Sequence, residues 1–208
     1  MKCRLLLTLL LLSGPARAAD DGKAHCPQVA LILDARLDAK KVEQGWGSGA
    51  ARDEANAVLA LRDCSGNIVD RVALSAPLAR LDAEPVRGAP VPTYLVTVDA
   101  TAEAGSYNGP LTQPFEVRGS KLQPVSARDT TGKAAPIRLA LTGKAAWKRA
   151  PIGDKDDLLS VSCQPMNNDF VTTYRRYHPT AEGWRLSERE EKGLWESDGE
   201  FPPIRSFP

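Results

Sequence analysis

Aromatic side chains are scarce in this chain: 6% of 208 residues, four each of Trp, Tyr and Phe. A core with so few rings is mostly aliphatic. Histidine is rarer still, at two residues (His25 and His178), and cysteine comes to four, without zinc-ligand spacing. No apolar run approaches the roughly 20 residues that a membrane-spanning helix needs. Charge of one sign is also missing: 27 basic residues stand against 26 acidic ones. That balance argues against a strongly basic nucleic-acid binder and against an acidic tail. There is no Gly-x-Ser-x-Gly elbow, no cysteine-protease signature and no P-loop; Gly45, Gly47 and Gly49 lead into no Gly-Lys-Ser/Thr. These absences predict a protein with no cofactor, no metal and no catalytic site, although a hydrolase built on scattered carboxylates stays open as a less favoured reading.

What is present begins at the N-terminus. Lys2 and Arg4 precede the apolar run from Leu5 to Leu12, broken only by Thr8; Ser13, Gly14, Pro15 and the small-residue pattern Ala16-Arg17-Ala18 follow. A charged start, a short apolar stretch and small residues at −3 and −1 have the layout of a cleavable secretory signal, here residues 1–18. Cleavage would remove Lys2, Arg4 and Arg17, leaving 24 basic against 26 acidic residues. The expected product, residues 19–208, is an exported β-rich domain in the periplasm or released outside the cell.

Export leaves three cysteines, Cys26, Cys64 and Cys163, enough for one bridge and one free thiol. Residues 28–37 and 57–63 both read as strands. Paired antiparallel, they bring Cys26, just before the first, beside Cys64, just after the second. Cys26–Cys64 is the expected disulfide, Cys64–Cys163 its main competitor, and Cys163 is expected to be packed and inert.

The body reads as a succession of hairpins. Ala57–Asp63 and Ile68–Ser75 flank a Gly-containing turn; Thr93–Asp99 is rich in β-branched residues; Pro114–Val117 and Leu122–Ala127 flank Arg118-Gly119-Ser120-Lys121. Ile137–Leu141 is expected to continue towards Trp147, and Leu158–Cys163 is β-prone. Phe170–Tyr177 and Trp184–Arg189 flank a longer loop at 178–183, and Trp195 and Phe201 fall in a short terminal strand. Ala76–Leu81, with Pro77 at its first position, suits one helical turn. Residues 38–55 and 82–92 read as long loops, and the Pro-locked end from Phe201 to Pro208 as an extended tail suited to dock on a sheet. The expected fold class is mainly β, a single domain of antiparallel hairpins forming a sandwich, an open barrel or a bent meander.

The chemistry-bearing residues give few constellations. His178, at the mouth of the last hairpin, has Cys163 or a serine as a conceivable partner, but reads as a solvated imidazole. Asp154, Asp156 and Asp157 resemble part of a calcium loop, yet lack the distal Glu and read as a solvated turn. Glu188, Glu190, Glu191 and Glu196 offer no distinguished pair. Arg175, Arg176 and Arg185 share a hairpin with Tyr174, Tyr177 and Trp184, an Arg-aromatic mixture that suits stacking on sugars or bases, or a half-buried strand pair. Tyr107 and Asn108 sit on the loop Gly105-Ser106-Tyr107-Asn108-Gly109-Pro110, where an aromatic tip makes a binding anchor at small entropic cost. Trp46 occupies a similar place in the Gly-rich loop. The favoured expectation is a non-catalytic exported binding or inhibitor-type protein acting on another envelope or secreted protein through these residues. A structural envelope role for the terminal segment is the alternative.

Overall fold

The computed structural model describes residues 28–32, 56–99, 105–198 and 200–208. In chain order the strands are β1 (Gln28–Ile32), β2 (Val58–Arg62), β3 (Ile68–Ala73), β4 (Ala79–Leu81), β5 (Thr93–Val98), β6 (Leu111–Arg118), β7 (Lys121–Pro124), β8 (Ser126–Arg128), β9 (Ala134–Pro136), β10 (Leu139–Ala140), β11 (Ala145–Ile152), β12 (Lys155–Met166), β13 (Asp169–Thr180) and β14 (Gly183–Lys192). A 3₁₀ turn at Ile204–Ser206 follows, and no α-helix occurs among the described residues.

Three sheets form. The first is β1-β2-β3, the middle one β10-β6-β5-β4 with β7 also on β6, and the third β11-β12-β13-β14-β8-β9. All pairings are antiparallel except β14 with β8. The period-2 alternation of β5 puts Val96 and Val98 into one core with Leu59, Leu61, Phe115 and Val117, between the first and middle sheets. Leu95 points the other way, into a second core with Leu139, Leu158, Tyr177 and Trp184, between the middle and third sheets. The far face of the third sheet carries Ala150, Leu159 and Val161, covered by Phe207. Each fully buried Leu or Val contributes roughly 1.5–3 kcal/mol.

A local device is used twice. Arg62-Asp63-Cys64-Ser65-Gly66-Asn67 and Arg128-Asp129-Thr130-Thr131-Gly132-Lys133 fold into the same loop. In each, the Asp amide bonds the carbonyl four residues on, and the Gly amide returns to the Asp carbonyl. The arginine donates to the Gly carbonyl, at 2.9 Å in the first loop and 3.2 Å in the second. The Asp carboxylate accepts the amides two and four residues on. These donors hold both carboxyls below their ordinary range, led by the Asn67 amide at Asp63 and the Thr131 hydroxyl at Asp129.

Several expectations need correction. Ala79–Leu81 is an edge strand, not part of a helical turn: Asp99 and Asp82 donate backbone bonds to Leu78 and Leu95, extending the β4–β5 ladder. The run Leu122–Ala127 splits at Val125, β7 staying in the middle sheet while β8 crosses to the third. The run from Ile137 stops at Leu141, because residues 142–145 turn back on themselves through a Thr142–Ala145 bridge. β13 and β14 reach Thr180 and Gly183, leaving only Ala181 and Glu182 as the turn. Pro179 is tolerated there because the β12 pairing has ended at Tyr177, so no neighbour on that side calls for its N–H. Trp195 and Phe201 belong to no strand; the terminal segment lies on the third sheet through side chains instead.

The β1–β2 pairing is antiparallel, with Gln28 opposite Arg62. Cys64 is disulfide-bonded and Cys163 is a buried free thiol, which excludes the Cys64–Cys163 bridge. Cys26, His25, Trp46 and the signal segment lie outside the described residues.

Candidate binding site

The Tyr107 loop is closed by the Asn108 amide, which donates to the Gly105 carbonyl at 3.0 Å. It rests on residues 141–143. A Cβ on Gly109 would fall 2.2 Å from the Leu141 carbonyl oxygen, and one on Gly143 would stand 3.1 Å from that of Ser106. Only glycine permits the first approach. Leu141 N donates to Pro110 O at 2.9 Å, fastening the end of the loop to the strand beside it. On this pinned base Tyr107 remains 51% exposed, and Leu141 is 48% exposed. Asn108 is exposed as well and serves the turn.

Beside the loop opens a groove of about 390 Å³, lined by Pro110 from the loop itself and by Leu78, Arg80, Thr97, Thr112, Leu141 and Trp147. Trp147 reaches it from β11, the edge strand of the third sheet; Arg80 comes from β4, the edge of the middle one. Past Arg80 and Thr97 a further space of about 340 Å³ runs towards Asp82 and Leu95, again walled by Trp147. The Thr97 and Thr112 hydroxyls bond each other at 2.7 Å. The groove is thus an apolar trough with a hydroxyl pair on one wall and Arg80 and Asp99 among its lining. Concave, largely apolar clefts with a few polar groups are the usual form of a binding site.

Lys144 supports this end of the molecule. It pairs with Glu196 and stands 5.7 Å from the centre of the Phe170 ring. The Glu196 hydrogen bond, against the opposing effect of burial, holds its ammonium above the ordinary lysine range. Met166 and Leu194, at neighbouring strand ends, are also exposed.

The other constellations resolve differently. Asp156 and Asp157 are no solvated turn: both lie on β12, at 2% and 0% exposure. Arg87 donates to Asp156 from its amide, Nε and Nη2. Arg176 Nε donates to Asp157 at 2.5 Å, and His178 Nδ1 lies 2.6 Å from the other oxygen. His178 sits within β13 opposite Arg185 rather than in a loop. Cys163 is six residues along β12 from Asp157, roughly 20 Å, and its sulfur meets Gly193 O and Trp195 N. A Cys163–His178 pair is therefore excluded. Tyr177 and Trp184 are buried in the second core, and Tyr174 lies beneath Phe207, so this hairpin offers no stacking platform. Glu188, Glu191 and Glu196 are engaged by Arg175, Arg189 and Lys144. No group of three or more potential metal ligands occurs among the described residues, and no helix among them is long and apolar enough to cross a membrane.

Of the site residues expected from sequence, Tyr107 and Asn108 lie on the loop whose Pro110 lines the groove, and neither lines the groove itself. Leu141, Trp147, Arg80 and the two threonines were not singled out by sequence, because they converge from five separate strands or strand ends. No family model, curated protein or solved structure matches this chain.

Proposed function

We propose that this protein is an exported, non-catalytic binding protein of inhibitor type that holds another envelope or secreted protein. Tyr107 is its anchor, and an extended segment of the partner occupies the groove beside the loop. The observation that supports the reading is a half-exposed tyrosine on a loop pinned from beneath and continuous with an apolar trough. Such an anchor is already ordered before binding, so little entropy is lost when it docks. The terminal segment lies on the chain's own third sheet, which weakens the alternative of a structural role in which that segment packs on an envelope assembly.

A photo-reactive group at Asn108 is expected to recover one exported protein from the envelope of the native host. Tyr107→Ala should weaken that complex by about 2 kcal/mol or more while the melting temperature stays put. A large fall in melting temperature would make Tyr107 a packing residue, and equal recovery by wild type and variant would overturn the reading.

Export to the periplasm, with release outside the cell as the alternative, rests on the pattern of residues 1–18. The antiparallel β1–β2 pairing with Gln28 opposite Arg62 supports Cys26, two residues before Gln28 in sequence, as the partner of Cys64, two residues after Arg62. Non-reducing peptide mapping of the exported protein should recover Cys26 linked to Cys64 with Cys163 alkylatable after unfolding; any other linkage would overturn this pairing.

A further inference from the structure

The opposite end of the third sheet carries a second constellation. Register places His178 opposite Arg185 and Arg185 opposite Arg128, on three neighbouring strands. Adjacent strands lie about 4.8 Å apart and directly paired side chains share a face, so the three stand in one row. Arg176, a diagonal neighbour, is taken by Asp157, which also holds His178. The Arg185 side chain makes no hydrogen bond or ion pair with any described residue, and Arg128 donates from Nη1 to Gly132 O, keeping its other N–H groups.

Both arginines line a cleft of about 760 Å³ between the β6–β7 hairpin, the β8–β9 loop and the β13–β14 turn. Trp184 also borders the cleft, but its ring points to the opposite face from Arg185, into the second core, where its Nε1 is buried. The acids around the cleft are Glu116, Asp129 and Glu182. Glu116 is engaged by Arg118 at 2.5 Å, Asp129 by the Thr131 and Lys133 donors of its own loop, and Glu182 stands on the turn. The uncommitted charged groups of the cleft are therefore the Arg185 and Arg128 guanidinium groups and, on the turn, the single carboxylate of Glu182. Two forks side by side match the geometry of an oxyanion.

We propose that this cleft binds an oxyanion group, a phosphate or a carboxylate, through Arg185 and Arg128. The site is separate from the Tyr107 end: Gly183 and Lys192 mark opposite ends of β14, nine residues or roughly 30 Å apart.

The test is a titration of the isotope-labelled exported chain with inorganic phosphate and, separately, with glucuronate, following the arginine N–H resonances. Saturable shifts of the Arg185 and Arg128 signals are expected with at least one probe. Phosphate alone would point to a phosphate-bearing ligand, glucuronate alone to an acidic sugar. Arg185→Ala should weaken binding at least tenfold and Arg185→Lys by less, since the charge remains and the fork is lost. Replacement of Arg71, an exposed arginine of β3, by alanine (Arg71→Ala) and Tyr107→Ala should leave it unchanged, so failure of the Tyr107 reading would not remove this site. The absence of a saturable shift with both probes, or equal binding by Arg185→Ala, would overturn the proposal.

Discussion

Replacing Asp156 by alanine is expected to destabilise the protein by about 3 kcal/mol, the lower end of what removing one partner of a buried ion pair costs. This carboxylate accepts three hydrogen bonds from Arg87, from N and Nε at 3.0 Å and Nη2 at 2.7 Å. The Asp156 amide returns a bond to the Arg87 carbonyl. Together they clamp the segment between β4 and β5 onto the third sheet. The clamp also needs Gly88, at φ +73°, where a Cβ would lie 2.4 Å from Cγ of Lys155. Without Asp156 the Arg87 guanidinium, being half exposed, returns to water, but its part-buried amide loses its acceptor. The same group predicts a pH effect. Burial pushes the Asp156 carboxyl up, yet the Arg87 hydrogen bonds and charge, with help from Arg149, outweigh it and hold the carboxyl below 3.8. The folded state then binds this proton less readily than the unfolded chain. Its contribution is complete above the ordinary carboxylate range and drains away as pH falls through 3.8 towards the lowered folded value. Urea unfolding of wild type and Asp156→Asn should show a stability gap that is wide at neutral pH and narrows in acid. A gap that is constant or widens on acidification would contradict the assignment.

Phe207→Ala should lose about 3–4 kcal/mol, the usual cost of removing a buried phenyl ring. Phe207 stacks on Phe201 with centroids 5.5 Å apart and meets Tyr174 edge-on at 5.6 Å. Beneath it lie Leu159, Val161 and Ala150. The neighbouring backbone is tied down where Arg189 Nη2 donates to Ser206 O at 2.6 Å. For a chain of this size the loss corresponds to a fall in melting temperature of roughly 6–16 °C. Faster proteolytic trimming of residues 200–208 should accompany it. An unchanged melting temperature would mean that the terminal segment contributes nothing to the third core.

The strands that sequence located best are those whose pattern is local. β2, β3, β5 and the β6–β7 turn announce themselves through alternation, β-branching and a Gly placed between two runs. Asp156 and Asp157 were misread because charge in a short run looks solvated. The groups that make their burial tolerable, Arg87, Arg176 and His178, come from 19 to 69 residues away. Pro179 looked like the end of a strand because the place where its neighbour stops pairing is a property of the sheet, not of the dipeptide. The binding end was half legible. Tyr107 stands out among turn formers, whereas Trp147 and Leu141 carry no local mark separating a groove wall from a core.

The middle sheet packs a core on each of its faces. Leu95 enters the second core and Val96 the first, so two bodies of packed side chains meet across one peptide bond of β5. The cores are in that sense geared: β5 cannot shift to relieve one without moving a wall of the other. Thr97, which lines the groove, rides on the same strand. Residues such as Leu59 and Phe115, though they line neither groove nor loop, therefore belong to the foundations of the binding surface.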